Sequence, residues 1–361
     1  MLRKPTPMLF FVLSFFLLSC SSSDDPANPT DPTPSEAMYF PPLSGNTWET
    51  KSLEQLGWNP SAVQPLLDYL NEKHTKSFIV LVNGRIVMEN YMNGHAADSP
   101  WYWASAGKTL TAAMTGIAQQ EGLLNINDKV STHLGAWTSA TAAQENAIQI
   151  RHLLTMTSGL NDATNEDCVA PECLTYLAAP GTRWAYDNVY VKLQDVVAAA
   201  SGTSWNNYFN TKLRNKIGMT GSWIQTGYLS VYGSTTRSMA RFGLLMLNNG
   251  NWDGQQIINA DYCQTATMPS QTINKSYGYL WWINGESSFH LPQSQFEFPG
   301  SIIPSGPADM YMALGKNDQK IYVVPSKKMV VIRMGDAADE ETMALSDFDE
   351  VLWQKINALY N

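Results

Sequence analysis

Strand-forming segments lie at both ends of this chain, and helical patterns fill the part between them. Residues 78–89 hold two β-rich runs joined by Asn83-Gly84, a dipeptide that strongly favours a hairpin. Further strand-like runs lie near the C-terminus, at residues 310–314, 320–324 and 329–334. Residues 125–270 are mostly helical patterns and loops. The pattern predicts an α+β fold in which both chain ends build one sheet and a mostly helical region is inserted between them.

Ser105 and Lys108 form the only Ser-x-x-Lys in the sequence. Apolar residues recur at helical spacing from Lys108 onward, so the two side chains share one face of a helix start and can meet. In the first turn, free backbone N–H groups can stabilise an oxyanion, and a desolvated lysine can take the proton of a serine hydroxyl. The alternative is an ordinary helix start, with Ser105 as its cap and Lys108 as a solvated charge.

The N-terminus has the layout of a secretory signal. A basic start is followed by the apolar residues 8–18 and then by Leu17-Leu-Ser-Cys20, which resembles the lipobox of bacterial lipoproteins. The resemblance implies cleavage after residues 1–19 and a lipid on Cys20, although a plain signal peptide is the alternative. Residues 20–38 are a flexible tether by composition, and residues 39–361 are the folded domain. We therefore expect a lipid-anchored protein of the bacterial cell envelope, periplasmic or surface-exposed.

Composition argues against several classes of partner. The 361 residues carry a formal net charge of −9, and loss of Arg3 and Lys4 with residues 1–19 would make it −11. Such a chain does not suit nucleic acid. The five histidines have no metal-ligand spacing, and the sequence contains no Gly-x-Ser-x-Gly, no His-Glu-x-x-His and no glycine-rich phosphate loop. We expect neither a metal nor a cofactor.

The remaining cysteines have different expected states. Cys168 and Cys173 are separated by four residues and could close a small disulfide loop in an oxidising compartment. Cys263 is left over, and we expect it to be buried and inert.

Two further polar segments carry little weight alone. Tyr186-Asp187-Asn188 follows a Pro-Gly turn, where most tyrosines are packed anchors. Residues 313–319 run off a strand edge, and Gly315 there could be a simple bend.

Together and in this order, these segments resemble a family. The chain is similar to the serine β-lactamase-like hydrolases, which include class C β-lactamases, penicillin-binding D-Ala-D-Ala peptidases, related esterases and 6-aminohexanoate-dimer hydrolases. The likeness runs from about Tyr39 to the C-terminus. It is carried by residues 105–108, 150–160, 180–188, 240–247, 252–254, 277–282 and 321–325. The resemblance implies a β-lactamase/transpeptidase-like fold with an antiparallel sheet and flanking helices.

The resemblance also implies a role for each matching residue. Ser105 would be the acylated nucleophile and Lys108 its activator. Tyr186 would be a general base and later a general acid, acting with Lys108 as one coupled pair. Asn188 would hold the substrate amide or Lys108 by hydrogen bonds. The oxyanion hole would consist of the N–H of Ser105 and that of Lys316, which follows Gly315.

The third segment departs from the antibiotic-hydrolysing branch. That branch places Lys-Thr-Gly, or a histidine variant, where this chain has Ala313-Leu314-Gly315, so the cation that meets a substrate carboxylate is missing. The departure favours small ester, amide or short-peptide substrates, and the likeness is closest to the esterase and 6-aminohexanoate-dimer hydrolase branch. Several tryptophans could line an apolar cleft: Trp101, Trp103, Trp184, Trp281 and Trp282.

The altered third segment also admits a second function. A surface lipoprotein could keep the fold, lack catalysis and bind a peptide or glycan fragment in the cleft, because a fold alone does not establish activity.

Overall fold

A computed structural model describes residues 36–163, 167–339 and 345–360. The predicted signal peptide, residues 1–19, and the lipidation site Cys20 lie outside the described residues, and the predicted tether is described only from residue 36. Apolar residues at helical spacing predict a closing helix from about Glu340 to Leu359. The structure has a helix at Asp347–Tyr360, and Glu340 lies outside the described residues.

The helices of the described residues are α1 (Leu53–Leu56), α2 (Val63–Glu72), α3 (Lys108–Gln120), α4 (Val130–Leu134), α5 (Ala142–Glu145), α6 (Ile150–Leu154), α7 (Lys192–Ser201), α8 (Trp205–Lys212), α9 (Thr236–Leu247), α10 (Ala260–Ala266) and α11 (Asp347–Tyr360). The strands are β1 (Thr75–Val82), β2 (Arg85–Tyr91), β3 (Trp101–Tyr102), β4 (Ser222–Thr226), β5 (Leu229–Ser234), β6 (Asn251–Trp252), β7 (Gln255–Gln256), β8 (Trp282–Ile283), β9 (Ser288–His290), β10 (Glu297–Pro299), β11 (Tyr311–Gly315), β12 (Gln319–Val324) and β13 (Met329–Gly335).

The main sheet has six strands in the order β2-β1-β13-β12-β11-β8, and every neighbouring pair is antiparallel. The join between the two chain ends is the β1–β13 pair, whose register runs from Thr75 opposite Gly335 to Val82 opposite Met329. The prediction of an α+β fold with one antiparallel sheet built from both chain ends is confirmed.

The Asn83-Gly84 turn joins β1 to β2 as predicted. Both residues have positive φ, 49° and 81°, which is the geometry of a two-residue hairpin turn that matches strand twist. A side chain at Gly84 would also overlap the backbone of Tyr39, whose N–H donates to the Asn83 carbonyl at 3.1 Å. The turn therefore needs glycine, and it anchors the first residues of the folded domain.

Helices cover both faces of the sheet. Adjacent residues of a strand point to opposite faces of the sheet, so the contacts of Lys320 and Ile321 show what covers each face. The Lys320 ammonium contacts Asp349 of α11, whereas Ile321 faces Gly243 of α9. Helix α11 packs with α2 through the stacked rings of Tyr69 and Phe348, 5.6 Å apart.

Helix α3 is buried over most of its length. It packs against α7, where Gln194 donates to Thr111, and against α10, where the Tyr262 hydroxyl donates to the Ala112 carbonyl at 2.8 Å. Because α3 carries Lys108 at its first position, these contacts hold the catalytic candidate rigidly.

The middle of the chain is helical with a small sheet added. Strands β3, β5 and β4 form a separate antiparallel sheet, in which Tyr102 of β3 lies opposite Gly233. This sheet matters for the site, because β3 leads directly into the turn that carries Ser105. Within the described ranges, no helix is long and apolar enough to cross a membrane.

Candidate active site

Ser105 lies in a single 3-10 turn, Ala104–Gly107, that leads into α3. The residue before it, Ala104, has φ of 48°, a left-handed conformation that is uncommon for a residue with a side chain. Backbone strain of this kind costs about 1–3 kcal/mol and often marks functional sites. The preceding residue is fixed by a hydrogen bond from the Trp103 N–H to the Tyr232 carbonyl, 2.8 Å. Ser105 itself is half-buried.

Lys108 meets Ser105 as the spacing predicts. Its Nζ donates to Ser105 Oγ at 2.7 Å, and only 3% of the lysine is exposed. The ammonium also lies over the rings of Tyr186 and Tyr190, 4.8 and 4.4 Å from their centroids. Burial lowers the pKa of Lys108 from 10.5 to about 7, and the charge of Asp187 opposes this shift. A large fraction of the lysine is therefore a neutral amine near pH 7.

Tyr186 brings the second predicted segment to the same point. Burial raises the pKa of Tyr186 to about 12, and the hydrogen bond between its phenol and Ser105 opposes this shift. The ring stacks on Trp282 with centroids 5.6 Å apart and meets Tyr277 edge-on at 6.2 Å. The tyrosine is thus a neutral phenol near pH 7, held by aromatic neighbours.

Asp187 is the acidic neighbour of this pair. Its carboxylate accepts the Val189 N–H at 3.0 Å, and burial raises its pKa to about 7. Asp162 raises the pKa further, whereas Lys108 and Arg183 lower it. Arg183 pairs with Asp162 through two contacts of 2.8 and 3.1 Å. The site therefore combines one amine and one carboxyl that both titrate near neutral pH.

Gly315 reaches the Ser105 turn from the far end of the chain. A Cβ atom at Gly315 would lie 2.5 Å from the Trp103 carbonyl oxygen and 3.0 Å from the Ala106 nitrogen. Only glycine allows the end of β11 to approach so closely. Lys316 follows at once in a 3-10 turn, Lys316–Asp318, and its side chain is exposed.

Ala313 and Leu314 are each 1% exposed. Ala313 lies opposite Ile321 and so shares the α9 face with Gly315, whereas Leu314 lies opposite Lys320 on the α11 face. Neither supplies a cation or a hydroxyl, which agrees with the departure seen in the sequence.

Asn188 lies half-buried at the start of the Val189–Val191 turn, and its carbonyl accepts the Val191 N–H at 3.0 Å. Cys168 and Cys173 form a disulfide, as their spacing allowed. Cys263 is buried, and burial raises its pKa to about 12, so its thiol is not activated.

The five tryptophans differ in position. Trp184 and Trp282 pack on the Tyr186 ring, with ring centroids 6.2 and 5.6 Å from its centroid. Trp103 and Trp281 are core residues, packed on Phe242, and Trp101 is half-buried.

Sequence reasoning missed two residues of the site. It gave no role to Tyr190, whose ring covers the Lys108 ammonium, or to Asp187, which tunes it. Tyr190 stands four residues after Tyr186, in the middle of the Val189–Val191 turn, and this spacing was the available signal. Within residues 36–163, 167–339 and 345–360, no group of His, Cys, Asp and Glu could hold a metal ion.

Comparisons with known proteins show which proteins this chain resembles. A family model described as Beta-lactamase matches residues 68–350. An uncharacterized protein of Alkalihalophilus pseudofirmus is 25% identical over 297 residues, which cover 71% of this chain and 82% of that protein.

Solved structures share the fold. A Bacillus anthracis protein assigned as a 6-aminohexanoate-dimer hydrolase has a TM-score of 0.67 and 19% identity, with 89% of each chain covered. A beta-lactamase of Mycobacterium bovis has a TM-score of 0.61 and 19% identity, with 82% of this chain and 98% of that one covered. At these identities the likeness shows the fold alone, whereas the family model covers most of the chain. The chain therefore belongs to the Beta-lactamase family, as its motifs predicted.

Proposed function

We propose that this protein is a serine hydrolase that cleaves an ester or amide bond through an acyl-enzyme on Ser105. One observation carries the proposal: a buried lysine with a pKa near 7 donates to Ser105 Oγ at 2.7 Å. A neutral amine in this position can accept the serine proton at the pH where the enzyme works. Members of the family are in general hydrolases of this type, although some are non-catalytic.

Lys108 and Tyr186 each carry out one of the proton transfers of acylation. In acylation, Lys108 accepts the Ser105 proton while Oγ bonds to the substrate carbonyl carbon, and the carbonyl oxygen becomes an oxyanion. The backbone N–H groups of Ser105 and Lys316 are the proposed donors to that oxyanion. The neutral phenol of Tyr186 then protonates the leaving group as its bond to carbon breaks, and the Lys108 ammonium returns a proton to Tyr186.

Deacylation repeats these steps with water in place of Ser105. The Tyr186–Lys108 pair takes a proton from the attacking water, the acid product leaves Ser105 Oγ, and the proton returns to that oxygen. Asn188 lies at the start of the turn that follows Tyr186. Its proposed role is to hold the substrate amide or Lys108 by hydrogen bonds.

The expected substrates lack an obligatory carboxylate. Ala313 and Leu314 are buried and neutral, and the Lys316 side chain is exposed to solvent. A substrate carboxylate entering the cleft would lose water and find little compensating charge on this strand. This supports small esters, amides or short peptides over β-lactams.

The proposed location is the bacterial cell envelope, with a lipid on Cys20 as the membrane attachment. The signal pattern of residues 1–20 supports it, and so does the Cys168–Cys173 disulfide, because such bonds persist in oxidising compartments.

A fluorophosphonate probe tests the proposed function. The wild type should be labelled and Ser105→Ala should not, while Ser222→Ala, which alters an exposed serine on β4, should be labelled like the wild type. Turnover of p-nitrophenyl esters should depend on Ser105 in the same way. Equal labelling of wild type and Ser105→Ala, or a lack of Ser105-dependent turnover, would refute the proposal and favour the non-catalytic binding protein.

A further inference from the structure

The turn that follows Gly315 has an unusual backbone. Asn317 has φ of 59° and ψ of 35°, and Asp318 has φ of 58°. Two consecutive residues with side chains therefore stand in the left-handed region. Such conformations persist only where surrounding contacts hold them, and asparagine and aspartate tolerate them best.

Buried polar groups hold this turn from behind. The Asn317 carbonyl accepts from Gln319 Nε2 at 2.7 Å and from Arg333 Nη1 at 2.9 Å. The Asp318 carboxylate accepts from the Ala338 N–H at 3.0 Å and pairs with the Lys320 ammonium at 3.1 Å. The backbone of the turn is thus tied to β12 and β13.

One side chain holds the turn from the front. Asn317 Nδ2 donates to the Tyr102 hydroxyl at 2.7 Å. Tyr102 stands three residues before Ser105 on β3, and its neighbour Trp101 donates from Nε1 to the Gly335 carbonyl at 3.1 Å. The strand that leads to the nucleophile is therefore joined to the turn after β11 by a side-chain hydrogen bond, beside the close approach of Gly315.

These contacts bracket Lys316. It lies between Gly315, which packs on the Ser105 turn, and Asn317, which is bonded to Tyr102. The Lys316 side chain is exposed. The direction of the Lys316 N–H is therefore set by the contacts of its two neighbours, Gly315 and Asn317. A small rotation of the turn would move this donor relative to the N–H of Ser105.

We infer that Tyr102 and Asn317 form a positioning pair for the hydrolytic reaction: their hydrogen bond holds the Lys316 N–H at the distance and angle from the Ser105 N–H that the oxyanion requires. The inference rests on the proposed function. Charge develops on the substrate oxygen only in the transition state, so loss of the pair lowers kcat much more than it changes KM.

The test uses Tyr102→Phe, Asn317→Gly and the double variant. Phenylalanine keeps the ring and removes only the hydroxyl, and glycine adopts the φ of residue 317 without strain. Loss of one oxyanion donor typically costs about a hundredfold or more, so its displacement should lower kcat by about ten- to a hundredfold. KM should stay within about threefold. Because the two groups act as one unit, the double variant should be about as slow as either single variant.

Asn249→Gly is the matched control. Asn249 is also a left-handed asparagine, with φ of 49°, but it is exposed and far along the chain from β11. Its kcat should equal that of the wild type, and the pH at which kcat/KM rises should be unchanged in every variant. If Asn317→Gly fails to fold, Tyr102→Phe alone decides the question.

Two failures remain distinguishable. A wild type without Ser105-dependent turnover refutes the proposed function itself. Normal wild-type turnover with unchanged kcat in Tyr102→Phe refutes only the positioning pair, as do losses that multiply in the double variant, since they would show that the two groups act independently.

Discussion

The titration of Lys108 should control the rate of acylation. Burial lowers the pKa of this lysine from 10.5 to about 7. Roughly half of the molecules then carry the neutral amine at pH 7, against about one in three thousand at the ordinary pKa. This difference of about a thousandfold in the reactive form corresponds to about 4 kcal/mol. Part of the gain is lost, because an amine with a lower pKa is also a weaker base.

The assay is kcat/KM for p-nitrophenyl butyrate between about pH 5.5 and 9.5, with the Ser105→Ala background subtracted at each pH. The wild-type value should rise with pH and reach half of its plateau near pH 7. Lys108→Arg keeps a positive charge at a similar position, but the guanidinium cannot lose its proton. We therefore expect kcat/KM to fall by about a thousandfold or more and to show no rise with pH.

Lys212→Arg serves as the control, because Lys212 lies on α8 and pairs with Glu121. It should keep both the rate and the pH profile of the wild type. A wild-type midpoint above about pH 9, or wild-type rates in Lys108→Arg, would show that Lys108 is not the base.

The remaining predictions concern the same groups. Asp187→Asn removes the charge that raises the pKa of Lys108, so the rise of kcat/KM should move to lower pH. Between about pH 7 and 10.5 the unfolded chain binds the Lys108 proton more strongly than the folded chain does, so the change in the free energy of unfolding in urea from about pH 7 to about pH 9 should be more positive in the wild type than in Lys108→Met. Gly315→Ala places a Cβ 2.5 Å from the Trp103 carbonyl oxygen and should lower kcat by about a hundredfold, whereas Gly107→Ala, whose Cβ has 3.8 Å of clearance, should lower it far less. The kcat/KM for p-nitrophenyl acetate should exceed that for nitrocefin by about a hundredfold or more, because a desolvated and poorly paired carboxylate costs several kcal/mol; efficient nitrocefin hydrolysis would contradict this.

Local patterns were sufficient for much of the fold. The Asn83-Gly84 hairpin follows from dihedral preferences of two adjacent residues, and the strands at 320–324 and 329–334 follow from continuous apolar runs. The Ser105–Lys108 contact is also local, because three residues of helical rise bring the two side chains onto one face. These features depend on short-range geometry, which can be predicted from residues that are neighbours in the sequence.

Resemblance, and not local pattern, linked the distant parts of the site. Tyr186 and Gly315 have no short-range signal for function, and their approach to Ser105 depends on how the sheet and the helical region pack. The small sheet β3-β5-β4 was not expected either; β4 and β5 form a local hairpin, whereas β3 pairs with β5 across more than a hundred residues.

The protonation chemistry of the site depends on long-range packing. A lysine in a sequence has a pKa near 10.4 by default. Its shift to about 7 comes from burial beneath Tyr186 and Tyr190, and the shift of Tyr186 to about 12 comes from burial as well. The bond between Tyr102 and Asn317 likewise joins groups that lie far apart in the chain. The local spacing of Ser105 and Lys108 is enough to predict that they meet at the helix start. Desolvation depends on every atom that packs around a charge, so the packing of the whole domain sets which of these groups can give or take a proton near pH 7.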